Sequence, residues 1–183
     1  MKIKRPVSEK LSLSGELRFA TDFHAVSYRH LDLGLQMQPQ PNWQFAAHYR
    51  AIEKKSANHQ WSPENRIYLQ VETALITTPA AFTLKVRNRL DARSRPGREQ
   101  TYRNRARIKL KAAELHILSG RPFASNEFFY DFSAHRYTMN RVDIGLDLGQ
   151  TAHLKHSVYL KLISQQSDHR WHTETSLVYK IEL

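Results

Sequence analysis

Charge falls on every second residue of two neighbouring segments, Lys85-Val-Arg87-Asn-Arg89-Leu-Asp91-Ala-Arg93 and Arg103-Asn-Arg105-Ala-Arg107-Ile-Lys109-Leu-Lys111. A strand turns successive side chains to opposite faces, so each segment has one charged face and one mostly apolar face. A helix, with its 3.6-residue period, cannot hold that spacing on one side. The chain is therefore constrained to an antiparallel β architecture in which arginines line one surface of the sheet.

The same alternation recurs along most of the sequence. Over 10–20, Leu11, Leu13, Gly15, Leu17 and Phe19 oppose Ser12, Ser14, Glu16 and Arg18. Over 26–38, Leu31, Leu33, Leu35 and Met37 oppose His30, Asp32, Gly34 and Gln36. Further strands are predicted at 43–53, 65–76, 81–93, 101–112, 126–133, 137–149, 154–164 and 170–183. In the strand at 137–149, Val142, Ile144, Leu146 and Leu148 alternate with Arg141, Asp143, Gly145 and Asp147 without exception. Residues 114–125, which include Ser119-Gly-Arg-Pro122, can be read as strand or loop. Turn residues such as Pro39-Gln-Pro41-Asn42, Thr77-Thr-Pro79 and Ser94-Arg-Pro-Gly97-Arg98 separate the segments in the rhythm of a meander. The expectation is about ten strands, an even number, as in bacterial membrane barrels. No linker or low-complexity tract divides the chain, so residues 1–183 are read as one domain.

Composition narrows the class. Hydrophobic residues make up 40% of the 183, and no stretch approaches the roughly 20 apolar residues of a spanning helix. Membrane barrels escape that test because half of each strand faces away from lipid. The absence of cysteine removes disulfides, thiol nucleophiles and cysteine-ligated metal. A net charge of +11 points to an anionic partner, whether nucleic acid, phospholipid or lipopolysaccharide. The opening Met1-Lys-Ile-Lys-Arg-Pro6 has no apolar core and is not a secretory signal, so an envelope location implies a leader already removed.

Parity alone does not say which face meets the surroundings. A soluble barrel buries the leucines, whereas an outer-membrane barrel turns them to lipid and fills its interior with charge. Three features favour the second arrangement. Aromatic residues cluster near strand ends, at Trp43, Phe82, Tyr102, Tyr137, Trp171 and Tyr179, where rings form interfacial girdles. Short turns alternate with longer polar connections at 54–64 and 93–100. The last strand alternates through Leu177, Tyr179, Ile181 and Leu183 to the final residue, as barrel-assembly signals do. The expected interior network comprises Arg66, Glu72, Arg87, Arg89, Asp91, Arg103, Arg105, Arg107, Glu127, Asp131, Arg141, Asp143 and Asp147, since arginine and carboxylate form planar paired hydrogen bonds suited to crowded interiors.

Five stretches resemble one family of small bacterial envelope proteins, a domain of unknown function thought to form outer-membrane barrels. They are Glu64-Asn-Arg66-Ile-Tyr68-Leu-Gln70, Arg87-Asn-Arg89-Leu90, Tyr102-Arg-Asn-Arg105, Phe123-Ala-Ser-Asn126-Glu127-Phe-Phe129 and Asn140-Arg141-Val-Asp-Ile-Gly145. The resemblance implies an outer-membrane barrel and brings no established activity. The strongly basic charge departs from it.

Catalytic signatures are weak. Ten histidines are present without a His-Glu-x-x-His or comparable ligand spacing. His156 and Ser157 are adjacent on a strand and so point to opposite faces, which prevents a hydrogen-bonded dyad. His135 and Ser133 can share a face, and so can His30 and Asp32, yet no nucleophile–base–orienter set assembles around either pair. Six glycines form no phosphate loop, and Gly15, Gly34, Gly145 and Gly149 are read as relieving crowding within strands. For nucleic acid, Tyr68 and Phe129 are the main rings on the charged face, and no RNA-binding signature accompanies them.

The expected fold is a single antiparallel up-and-down transmembrane β-barrel in a bacterial outer membrane, monomeric and without cofactor or metal. The expected function is non-enzymatic: structural, binding, or a narrow channel that favours anions. Expected partners are outer-membrane lipid, lipopolysaccharide phosphates at the cationic outer loops, and the assembly machinery at the C-terminal strand; no specific nucleic acid is expected. The alternatives are a soluble basic barrel binding nucleic acid or another polyanion, and an outer-membrane lipid hydrolase.

Overall fold

The structure, a computed structural model, describes residues 2–22, 25–56, 58–78, 82–113, 120–151, 154–167 and 170–182. They form eleven strands and no helix. These are β1 (Lys2–Pro6), β2 (Leu11–Asp22), β3 (Ala25–Gln40), β4 (Trp43–Lys55), β5 (Trp61–Thr78), β6 (Phe82–Arg95), β7 (Arg98–Ala112), β8 (Arg121–Asp131), β9 (Arg136–Thr151), β10 (Leu154–Ser167) and β11 (Arg170–Glu182). They lie in one up-and-down sheet in chain order, β1 through β11.

The all-β, meandering class agrees with the alternation in the sequence, but the strand list differs from expectation. An additional first strand pairs Lys2–Pro6 with β2. Its charged, Pro-ended sequence has no apolar alternation to reveal it. With it, the count among the described residues is odd rather than even. The long polar connections are also shorter than expected. β4 runs to Lys55 and β5 begins at Trp61, while β6 runs to Arg95 and β7 begins at Arg98. Strand pairing continues through segments that are polar on both faces, where hydropathy carries no signal. The expected contrast of short and long connections therefore persists in reduced form at 56–60 and is lost at 96–97. β8 starts at Arg121, inside the stretch read as ambiguous, and stops at Asp131 rather than residue 133. Residues 114–119, Pro79, Leu183 and four histidines, His24, His116, His153 and His169, lie outside the described residues.

The chain divides into two compact units, residues 1–71 with 89–103, and residues 72–88 with 104–183. Both invert the usual soluble arrangement. In the first, register places Glu16, Asp32 and Arg50 side by side, and Ser14, Gly34 and His48 in the next row of the same face. The rows between them, Leu17–Leu31–Ala51, Gly15–Leu33–Tyr49 and Leu13–Leu35–Ala47, form the other face. The polar rows are the buried ones: Asp32 is buried, whereas Leu31, Leu33, Leu35 and Met37 are exposed. β5 repeats this, with Glu64, Arg66 and Tyr68 buried while Ile67 and Leu69 are 60% and 57% exposed.

The second unit is built the same way. Phe123, Gly145 and Tyr159 form one inner row, and Glu127, Arg141 and Ile163 another. Ala124, Ile144, Leu160 and Leu177 form an outer row. Ile144, Leu160 and Leu177 are exposed, as are Ile108 and Leu110 on β7. Two glycines make the inner rows possible. A Cβ on Gly34 would collide with the His48 ring, and one on Gly145 would collide with the backbone oxygen of Val158 and with Tyr159.

Candidate functional site: two buried arginine–carboxylate networks

In the first unit three carboxylates organise the inner face. Glu64 binds three arginines. Arg66 pairs with it closely, Arg93 reaches both its oxygens at 3.2 and 3.1 Å, and Arg95 Nε donates at 2.7 Å. Asp91, fully buried, lies 2.8 Å from Arg89 and 3.0 Å from Arg103, with Arg66 at 3.8 Å. Asp32 accepts from His48 Nδ1 at 2.6 Å, from the Tyr68 hydroxyl at 2.7 Å, and from Arg50. The Tyr68 ring is stacked on His48, centroids 4.6 Å apart, and the Arg89 guanidinium lies 4.2 Å over it. His30 joins the network at its side, 2.8 Å from the Tyr28 hydroxyl and 3.2 Å from Glu16.

In the second unit Glu127, 1% exposed, is the hub. Arg87, Arg105 and Arg141 lie 2.5, 2.9 and 2.6 Å from its carboxylate. Arg105 also lies 4.7 Å over the Phe129 ring, and Lys109 lies 4.2 Å over Phe123. Glu72 pairs with Arg107 at 3.2 Å and Lys85 at 3.5 Å. Lys111 pairs with Asp147 at 2.6 Å, and Arg141 is 3.4 Å from Asp143. Buried charges persist only when paired and hydrogen-bonded, and arginine's planar fork lets one carboxylate serve several donors.

Twelve of the thirteen residues singled out from the sequence fall in these contacts. Asp131 does not. Its carboxylate accepts the backbone N–H groups of Ser133 and Ala134 at 2.9 and 3.1 Å and holds the β8–β9 turn. Asp131 sits at the strand end, and short acidic side chains there bond local backbone donors in preference to distant cations. Glu64, His48, Arg50 and Tyr68 were missed as network members. The signal available for Glu64 was its parity with Arg66. Arg93 and Arg95, placed in an outer loop by sequence, are instead engaged by Glu64.

The geometry gives a catalytic reading little to work with. His156 Nδ1 meets the Tyr179 hydroxyl at 2.8 Å, not the neighbouring Ser157. The Asp32–His48 pair has the spacing of a carboxylate orienting an imidazole. Ser14, in the row of His48 and across Gly34 from it, has its oxygen 3.1 Å from Gln36 Nε2 as acceptor and 3.4 Å from the Gly34 carbonyl as donor. Among the described residues, no group of three or more His, Asp and Glu could hold a metal ion.

What the inner faces hold is an excess of positive charge. Glu64, Asp91 and Glu127 each gather three arginines. The aromatic rings on that face are covered: Tyr68 and Phe129 are buried beneath guanidinium groups. The outer face carries exposed rings close to strand ends, at Trp43, Phe82, Tyr102, Tyr137, Trp171 and Tyr179.

No curated protein and no solved structure matches this chain. A family model does, over residues 1–174, and the motifs quoted above lie within that span. The chain belongs to the family described as Protein of unknown function (DUF2490).

Proposed function

We propose that this protein is a transmembrane β-barrel of a bacterial outer membrane, with a non-enzymatic role as a small, largely occluded barrel that binds or passes anions. The observation that carries the reading is the inversion of faces. Exposed Ile67 and Leu69 alternate on one strand with buried Glu64, Arg66 and Tyr68. Water gives no reason to expose rows of leucine and bury rows of arginine; hydrocarbon does, because it accepts apolar side chains and excludes charge. Strand length agrees. β3, β5 and β9 have 16, 18 and 16 residues, more than the roughly 9–11 that a tilted strand needs to cross the apolar layer. Exposed rings near strand ends match interfacial girdles.

The role follows from the charge inside. Arginines and lysines outnumber carboxylates in the two networks, which leaves the interior cationic, so any ion path favours anions. Crowded side chains restrict conduction to a narrow route. Lys54, Lys55 and Arg98 sit at strand ends and are the cations offered to lipopolysaccharide phosphates, with Arg93 and Arg95 bound elsewhere. The assembly machinery is proposed to read β11, whose Leu177 and Tyr179 are exposed.

The polyanion-binding alternative loses its stacking platform, because Tyr68 and Phe129 already lie under Arg89 and Arg105. Expression in a Gram-negative host with an added leader tests the main reading. The chain should be extracted from the outer-membrane fraction only by detergent, and should migrate differently on gels before and after boiling. A chain that stays dissolved without detergent and migrates identically in both states refutes it.

A further inference from the structure

In the first unit, β2 and β4 end where β3 and β5 begin. Two cations without a counter-ion stand at that end of the inner face. Register puts Arg18, His30 and Ile52 in one row, and Tyr28 and Lys54 in the next row toward the strand ends. Arg18 and Lys54 are exposed, Tyr28 is half-buried and His30 is buried.

No ion pair joins either cation to a carboxylate among the described residues. The carboxylates around them are engaged by other groups. Glu64 holds Arg66, Arg93 and Arg95, and Glu16 lies 3.2 Å from His30 Nε2. The charges acting on Lys54 are Glu64, Arg66, Arg95 and Arg103, three arginines to one acid. Tyr28 lies in the field of Arg18, Arg50 and Arg66 as well as Glu64. Uncompensated charge beside a low-dielectric wall focuses field lines and concentrates counter-ions there.

The arrangement is that of a clamp. β3 separates β2 from β4, so the two outer backbones lie about 10 Å apart, twice the spacing of neighbouring strands. Arg18 and Lys54 therefore rise on either side of Tyr28 and His30. Those two rings meet edge-on at 5.4 Å, with the Tyr28 hydroxyl 2.8 Å from His30 Nδ1, and form the floor. Arginine offers a planar fork for two oxygens, and lysine a mobile point charge for a third. Two positive charges match a tetrahedral group bearing two negative ones, whereas a monatomic anion leaves half the clamp unmet.

We propose that Arg18 and Lys54 form a two-point binding site for a doubly charged phosphate group, held over Tyr28 and His30 at the end of the first unit's inner face. The inference rests on the anion-binding part of the reading above, and it names the group bound and the residues that bind it.

The test is calorimetric titration of the full chain, refolded into detergent micelles, with inorganic phosphate at about pH 8, above the second phosphate pKa. Phosphate should bind saturably, and chloride at equal ionic strength should not displace it. Arg18→Gln and Lys54→Gln should each weaken binding about tenfold to a hundredfold, the range for one hydrogen bond to a charged group. Arg170→Gln removes the same charge from an exposed position in the second unit and should leave the affinity almost unchanged. Nanodiscs containing lipopolysaccharide separate the two sources of the group. Phosphate binding that is lost there, and restored when the lipid's own phosphates are removed, assigns the clamp to a lipid-borne phosphate. Binding that the lipid leaves unchanged assigns it to a soluble one. Equal phosphate affinity in all three variants, displacement by chloride, or binding of chloride alone overturns the clamp while the anion-binding reading stands. Binding of neither anion overturns both.

Discussion

Glu127→Gln removes one negative charge from the point where Arg87, Arg105 and Arg141 converge, at 2.5, 2.9 and 2.6 Å. The substitution keeps the side chain's volume, so its effect reports charge rather than packing. With charge centres about 4 Å apart and an effective dielectric near 20, each pair contributes roughly 4 kcal/mol of gross attraction, or about 12 kcal/mol for three. Most of that offsets the desolvation of four ions, and breaking a buried pair costs a net of about 3–5 kcal/mol. At roughly 2–4 °C per kcal/mol for a chain of this size, the unfolding midpoint should fall by about 6–20 °C. The assay is the temperature at which the folded gel band converts to the unfolded one, checked by urea unfolding in micelles followed by tryptophan fluorescence. Adding Arg105→Gln to Glu127→Gln should recover part of the loss, with a coupling of about 1 kcal/mol or more, because one uncompensated cation leaves with its partner. Asp131→Asn is the control, since its carboxylate serves turn N–H groups and its loss should cost about 1 kcal/mol. A shift for Glu127→Gln no larger than the control's would mean that water screens the cluster. The picture of a desolvated, self-paired interior would then be wrong.

Leu69→Arg, on the exposed face of β5, should cost about 2–4 kcal/mol if the position lies near the bilayer centre and should reduce the amount recovered in the outer-membrane fraction. The same change on a water-facing surface would stay within about 0.5 kcal/mol, so unchanged recovery and stability would count against the lipid-facing assignment. Gly145→Ala forces a methyl group against the Val158 carbonyl and Tyr159 and should lower stability by about 1–3 kcal/mol. Gly15→Ala, whose added methyl group meets Leu33 at 3.8 Å, should leave the gel-shift temperature almost unchanged; equal effects of the two would show that the inner row tolerates a side chain at Gly145.

Much of the inner network was legible because parity is strict. Arg103, Arg105 and Arg107 had to share a face, and so did Arg141, Asp143 and Asp147. The pairings themselves were not legible. Glu64 meets Arg93 and Arg95, and Glu127 meets Arg87, across sequence separations of 29, 31 and 40 residues, and no local pattern ranks one carboxylate over another at that range. The connections at 54–64 and 93–100 were misjudged for a related reason. Polar residues on both faces look like loop, yet backbone hydrogen bonding carries β4 to Lys55 and β6 to Arg95 regardless of side-chain polarity.

Residue order alone settled that this chain is a meander of strands with one charged and one apolar surface, because a two-residue period is a local property that any reader of the chain can count. It left open which surface turns inward, since both solutions have identical parity. That choice depends on how strands curve and associate and on which side chains can satisfy one another at close range. Asp91 and Glu127 lie buried among guanidinium groups while Ile67 and Leu69 stand exposed, and distances between strands, not positions along them, made that so.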